Sequence, residues 1–273
     1  MAIRTPRKTK ESTTNKSSKK ASKSNLKDEF YANNNEGSSK TNGGISRKKE
    51  VLDLLRPRGE VKAKSEKQTE LMGLISNKNK QIIIVSGPAG CGKTLVTLSE
   101  ALYLLMDESN KFEEISIFKS VTPLKGEEVG FLPGDITEKM KFFLMSYFIQ
   151  IEKLIGKARL EKLIEKEFLK LVPLGFIRGV SMDNKQIIIV DEFQNISIEN
   201  AKTILTRMEE GAKLICLGDI RQQDSRGKNG LSFLVEHFKD VDNKIAVLEF
   251  NDSEIVRNPL ITKILNVFEE KGF

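Results

Sequence analysis

Residues 87–94 read Gly-Pro-Ala-Gly-Cys-Gly-Lys-Thr, a G-x-x-x-x-G-K-[ST] segment. It follows a short apolar run, Gln81–Ser86, and opens a stretch, Gly92–Met106, that is apolar on more than one side. A buried strand, a glycine-rich turn and a helix in that order restrict the fold more than any other feature of the chain. Glycines let the backbone curl so that N–H groups converge on phosphate oxygens, and the helix N-terminus adds partial positive charge at the same place. In such a loop Lys93 reaches the β- and γ-phosphates, and the Thr94 hydroxyl ligates Mg²⁺. The expected nucleotide-contacting residues are Gly87, Pro88, Ala89, Gly90, Cys91, Gly92, Lys93, Thr94 and the adjoining Leu95, with ATP and Mg²⁺ as ligands. The bland alternative, a glycine-rich turn with an incidental lysine, does not account for the flanking strand and helix.

The rest of the body repeats that alternation. Helices are predicted over Ser65–Ser76, Gly92–Met106, Ile136–Ile155 (capped by Asp135), Lys157–Leu171 (stopping before Pro173), from the cap Ser197 to Met208, Leu231–Phe238 and Pro259–Glu270. Strands are predicted at Gln81–Ser86, Ile115–Phe118, Gln186–Val190, Lys213–Leu217 and Ile245–Glu249. Strands separated by helices imply βαβ units and an α/β fold, a mainly parallel sheet with helices on both faces.

The third predicted strand ends Ile187-Ile-Ile-Val-Asp191-Glu192. In a sheet of this kind that end faces the phosphate site. Asp191 is expected to hold Mg²⁺ with Thr94, and Glu192 to polarise the attacking water. Gln194 and Asn195 either sense the terminal phosphate or make turn hydrogen bonds. A further polar segment, Gly218-Asp219 followed by Gln222, Gln223, Asp224 and Arg226, trails the next strand, where a nucleotide-state sensor or a plain surface loop would sit.

Composition closes off other classes. The only histidine is His237 and the cysteines are Cys91 and Cys216, so a His-based triad, a zinc cluster and a disulfide framework are excluded. The longest aliphatic runs span four residues, against about 20 for a membrane helix. No signal peptide is expected, and the cysteine usage suits a cytoplasmic protein. Residues 1–50 hold 13 Lys and Arg against 5 Asp and Glu, and the whole chain 45 against 38, so residues 51–273 hold 32 against 33. The basic character therefore belongs to a Ser-, Asn- and Lys-rich tail, residues 1–48, expected to be disordered ahead of one domain at 49–273. Such a tail either holds nucleic acid through phosphate contacts or is a solvated extension without a specific partner.

An ordered set of motifs identifies a resemblance to the PhoH-like ATPases over roughly residues 50–270. They are Gly87–Thr94, Gly130-Phe-Leu-Pro-Gly-Asp135, Ile177-Arg-Gly179, Asp191-Glu-Phe-Gln-Asn195, Gly218-Asp-Ile-Arg-Gln222, Asp224 with Arg226-Gly227, and Asn251-Asp-Ser-Glu-Ile-Val-Arg-Asn-Pro259. The resemblance implies a RecA-like P-loop NTPase core similar to the first motor domain of superfamily 1 helicases, ATP hydrolysis with Mg²⁺, a homo-oligomeric and hexameric ring, and action on RNA or single-stranded DNA. It places Gln68 at the adenine and Gln222 at a helicase-type sensor. It makes Arg257 the candidate arginine finger, with Arg178 and Arg226 as rivals. A solvent-facing helix residue is the competing reading of Gln68, and a surface salt bridge that of Arg257.

Departures from the family pattern are equally specific. Lys119-Ser-Val-Thr-Pro123 stands where many members carry Thr-Arg-Pro, and Asp224–Gly227 looks one residue short. The N-terminal nuclease domain, the C-terminal RNA-binding domain and the second motor domain found among similar proteins are not expected here. A short version with such a tail is similar to those of bacteriophages. Phe142, Phe143, Tyr147 and Phe148 lie on one broad face of their predicted helix, for packing or for stacking on bases. Two other classes of function compete with a motor: a nucleotide-gated oligomeric scaffold and, with no separate acid cluster to support it, a ribonuclease.

Overall fold

A computed structural model describes residues 49–50, 61–119, 136–179, 182–222, 229–256, 258, 260, 263–264, 267 and 270–271, with the side chains of 136–143, 176, 178 and 179 outside that set. These residues fall within one unit, Ile45–Phe273. The tail 1–48 lies outside the described residues, as do the Phe-Leu-Pro-Gly-Asp segment and Arg226 and Arg257.

Among the described residues six strands form one sheet: β1 (Ile82–Ser86), β2 (Glu114–Lys119), β3 (Leu169–Pro173), β4 (Gln186–Asp191), β5 (Lys213–Gly218) and β6 (Ile245–Glu249). Their spatial order is β3-β2-β4-β5-β1-β6, and every adjacent pair is parallel. Successive strand residues alternate between two apolar clusters. Ile83, Val85, Ile187, Ile189, Ile215 and Leu217 enter one, while Ile84, Ile188, Val190, Leu214 and Cys216 enter the other. Burial on both faces is why these strands read as unbroken aliphatic runs.

Among the described residues four helices cover the first face: α1 (Glu66–Ser76), α2 (Lys93–Met106), α3 (Ile136–Ile155) and α4 (Lys157–Glu165). Two cover the second, α5 (Ile198–Leu205) and α6 (Gly230–His237). Ser197 caps α5 by accepting from the Asn200 N–H at 3.2 Å, as its sequence position predicts. Described residues from Leu260 to Glu270 are helical. Among the described residues no helix is long and apolar enough to cross a membrane.

Two predicted helices stop early: the one expected to reach Met208 ends at Leu205, and the other gives way to a strand. The helix expected over Lys157–Leu171 ends at Glu165, and Leu169–Pro173 is instead a sixth strand, pairing with β2. The Phe168 N–H donates to the Leu163 carbonyl at 2.8 Å and the Glu167 N–H to that of Ile164 at 3.0 Å. Those two bonds make a Schellman stop, with buried Phe168 and Leu163 as its apolar contact. The left-handed position is filled by Glu167, at φ +57°, rather than by glycine, so the usual stop signal is missing from the sequence. Pro173 is tolerated because β3 is an edge strand.

Parallel strands bring their carboxyl ends to one edge. Ser86 is in register with Gly218 and Glu249, and Lys119 with Asp191. The opposite edge is tied by buried Glu114, which accepts from Ser116 at 2.9 Å, Gln186 at 3.1 Å and Lys170 at 3.1 Å. There too Lys213, 2% exposed, donates to the carbonyls of Ile75, Asn77 and Lys80 at 2.7–2.9 Å and so closes the C-terminus of α1.

Candidate nucleotide site

At the carboxyl edge the chain leaves β1 between two neighbours. The Gly87 N–H donates to the Gly218 carbonyl at 3.1 Å, and the Phe250 N–H to that of Ser86 at 2.8 Å. A Cβ on Gly87 would stand 2.4 Å from the Phe250 Cβ, so only glycine fits there. Gly90 and Gly92 adopt φ +91° and +85°, the left-handed turns that curl the loop back to α2. The Val256 N–H donates to the Gly90 carbonyl at 3.2 Å, bringing the segment after β6 against the loop. Gly92 is the N-cap of α2 and offers no side chain, so the first N–H groups of this helix are left for a ligand. Within the loop the Lys93 ammonium donates to the carbonyls of Gly87 at 2.6 Å and Pro88 at 2.9 Å.

Two residues that are 97 positions apart in sequence meet beside it: the Thr94 hydroxyl donates to Asp191 Oδ2 at 3.3 Å. Asp191 Oδ1 accepts from the Glu192 N–H at 2.9 Å. Glu192 itself sits at φ +56°, ψ 40°. A non-glycine residue there stores strain of the order of 1–3 kcal/mol, and such strain gathers at functional sites. The Glu192 carboxylate accepts from Gln194 Nε2 at 2.7 Å, while Gln194 Oε1 accepts from the Asp219 N–H at 3.2 Å. Gln194, 2% exposed, thereby links the second acid to the end of β5. It makes this bridge whichever of its two sequence readings applies.

Tyr147 of α3 is 1% exposed, and its hydroxyl donates to Asp191 Oδ2. Burial first, then the adjacent Asp191, hold its phenol well above the usual range, so it stays a proton donor. Lys119 Nζ lies 5.4 Å from the centre of the Tyr147 ring. Sequence reasoning saw Tyr147 only as part of an aromatic face. The available signal was a lone Tyr among Phe residues, a buried ring with a polar tip that needs a partner. Phe148 of the same face packs on the first cluster.

The remaining predicted residues are placed as follows. Gln68 is 3% exposed, which rules out a solvent-facing role. Its Nε2 donates to the Cys91 carbonyl at 2.8 Å and its Oε1 accepts from the Lys64 N–H at 2.8 Å, so the amide braces the loop from α1. Cys91 is buried beside Lys93; burial raises its thiol pKa, and Lys93 offsets part of that rise. Pro88 is buried, while Ala89 and Leu95 are exposed. Gln222 is exposed in the turn after β5, its N–H donating to the Asp219 carbonyl at 3.1 Å. Arg221 pairs with Asp252 through two bonds of 2.9 and 2.6 Å. Arg257 and Arg226 lie outside the described residues, and the Arg178 side chain does too.

The donor set suits Mg²⁺. It offers a hydroxyl and a carboxylate, both hard oxygens. Among the described residues there is no cluster of three or more His, Cys, Asp or Glu to form an all-protein cage. Mg²⁺ is characteristically bound by one or two carboxylates with substrate phosphates and water completing the shell.

A sequence profile described as "PhoH-like protein" matches residues 60–269. The chain belongs to the PhoH-like family. It is 30% identical over 214 residues to the PhoH-like protein of Bacillus subtilis, covering 78% of this chain and 65% of the relative. With the PhoH-like protein of a Synechocystis species it shares 33% over 215 residues, 78% and 63% of the two chains. Protein PhoH of Escherichia coli K12 is 30% identical over 212 residues, 76% and 58%. This PhoH-like chain thus spans somewhat under two thirds of the length of these curated relatives. Solved structures with a partial likeness include the UvsW helicase of bacteriophage T4, at 13% identity and TM-score 0.41 over 75% of this chain and 66% of that one. The large terminase of a thermophilic bacteriophage, in complex with ADP, gives 15% and 0.40 over 74% and 49%.

Proposed function

We propose that this PhoH-like chain is a Mg²⁺-dependent ATPase working as an oligomeric motor on RNA or single-stranded DNA in the cytoplasm. The observation that carries the reading is the approach of Thr94 and Asp191 to 3.3 Å beside Lys93 and Glu192. In the proposed reaction Thr94 and Asp191 hold the ion. A bound Mg²⁺ would supply electrostatic stabilisation of the charge that builds on the phosphates. Lys93 exchanges its two carbonyl partners for phosphate oxygens, which compete well for an ammonium. Glu192, steadied by Gln194, takes the proton of the attacking water. One arginine, Arg257 with Arg178 and Arg226 as rivals, neutralises the transferred phosphoryl group from its own or a neighbouring subunit. Movement along a strand is proposed to be the work of a ring of subunits, six being the proposed number. The basic tail 1–48 is proposed as an arm on the nucleic-acid backbone.

The test is steady-state ATP hydrolysis by the full chain, with and without single-stranded RNA or DNA, beside Glu192→Gln. Stimulation by one nucleic acid, lost in the variant while ATP binding persists, is the expected result and names the track. Turnover indifferent to both nucleic acids would overturn the motor and leave a nucleotide-gated scaffold.

A further inference from the structure

The Asp191 carboxylate is held at both oxygens. Oδ1 accepts from the Glu192 N–H at 2.9 Å, and Oδ2 from the Tyr147 hydroxyl. A carboxylate anchored at one oxygen can still turn about its last bond; anchored at both it cannot. Each oxygen has room for two hydrogen bonds or one bond and one ligand. With Tyr147 on one lone pair of Oδ2, the other is left on the side of the Thr94 hydroxyl, 3.3 Å away. The tyrosine ring is buried in the first apolar cluster, and Lys119 approaches its ring. The hydroxyl is therefore not free to follow the carboxylate if it moves.

We infer that Tyr147 is a positioning residue for the metal-holding carboxylate, fixing Asp191 in the orientation in which it and Thr94 receive Mg²⁺ together. The inference rests on the reading of Thr94 and Asp191 as the Mg²⁺ pair and goes one shell outward from it. Partners of this kind fix a ligand's direction and its basicity, and losing one typically costs about 10–100-fold in metal affinity. The site thereby gains a contribution from α3, an element that supplies none of the sequence motifs of phosphate binding.

Tyr147→Phe removes one oxygen and keeps the ring in the core. The measurement is the Mg²⁺ dependence of binding of a fluorescent ADP analogue to the full chain, wild type and variant, with urea midpoints to compare stability. The expected result is a half-saturating Mg²⁺ concentration raised about tenfold in the variant, with the midpoint nearly unchanged. A Mg²⁺-dependent wild type whose titration superimposes on that of the variant would overturn the role of Tyr147 and leave the proposed ATPase standing. A wild type indifferent to Mg²⁺ would overturn both. A second measurement needs no variant. The chain has no tryptophan and three tyrosines, and a phenol bonded to a carboxylate is quenched. Because the bond is kept when the ion arrives, adding Mg²⁺ with ADP should leave the wild-type tyrosine emission as quenched as with ADP alone; a rise in emission, the mark of a phenol released from the carboxylate, would count against the inference even if Tyr147→Phe failed to fold.

Discussion

Replacing Gly92 by alanine tests how the loop is built, independently of any reaction. The residue sits at φ +85°, where a Cβ costs about 1–2 kcal/mol. A narrower unfolded ensemble returns about 0.4–1 kcal/mol of that. The added methyl would also stand 2.6 Å from Gln68 Nε2. Gln68 cannot swing into solvent to relieve the clash, because it is 3% exposed and both ends of its amide are engaged. Moving it breaks the bond to the Cys91 carbonyl and leaves buried polar atoms unpaired, a further ~1–3 kcal/mol. Gly92→Ala should therefore cost about 3 kcal/mol, the middle of a range of roughly 1–4.6. In urea, at an m-value near ~3 kcal/mol/M, that is a midpoint lowered by roughly 1 M. The decisive comparison is a double-mutant cycle with Gln68→Ala. With the amide gone the methyl meets no obstacle, so the cost should fall to the left-handed penalty alone, about 1 kcal/mol. Equal costs in the two backgrounds would refute the argument, since the clash with Gln68 would then contribute nothing.

Other consequences follow from single contacts. Lys213→Met removes the buried ammonium that the carbonyls of Ile75, Asn77 and Lys80 share and should destabilise by about 3 kcal/mol in the same assay. Burial pulls the Lys213 ammonium from 10.5 down to about 8, so between those values the unfolded chain holds the extra proton. Stability should rise with pH through that window by more in the wild type than in Lys213→Met, and parallel pH curves would contradict the assignment. Gln194→Ala frees the Glu192 carboxylate from its 2.7 Å partner. It should lower kcat for ATP by roughly tenfold with KM little changed, whereas a rise in KM alone would make Gln194 a binding residue. Cys91 and Cys216 are both fully buried with thiols raised by burial. A chromogenic disulfide reagent should find almost no fast-reacting thiol in the native chain and two after denaturation, and a rapid native burst would show the loop opening.

What could be read from the sequence divides along a physical line. Runs such as Ile187–Val190 announce a strand because burial on both faces demands apolar side chains throughout. The loop at 87–94 announces itself because left-handed backbone and close approach to Phe250 demand glycine at fixed spacing. In both cases one local requirement selects residue types, so the requirement can be inferred from them. The helix stop at Glu167 has no such mark: its two backbone bonds form whatever the side chain, and the strain of φ +57° is offset by the packing of Phe168 on Leu163. β3 is hidden for the same reason, since Leu169–Pro173 continues an amphipathic pattern and becomes a strand only by pairing with β2. The site divides likewise. Lys93, Thr94, Asp191 and Glu192 stand at motif positions, but the bonds that brace the site come from elsewhere: Gln68 on α1 holds the loop at Cys91, Tyr147 on α3 holds Asp191, and Gln194 ties Glu192 to the end of β5. Those partners are set by the order in which the strands lie side by side. β5 stands between β1 and β4 in space although it follows both in the chain, so only the folded sheet brings Asp219 to Gln194. Groups that would touch phosphate are constrained by its chemistry and keep a recognisable spacing. Groups that position them are constrained only by where the fold delivers a donor, and another chain with this loop can meet the same need from a different helix.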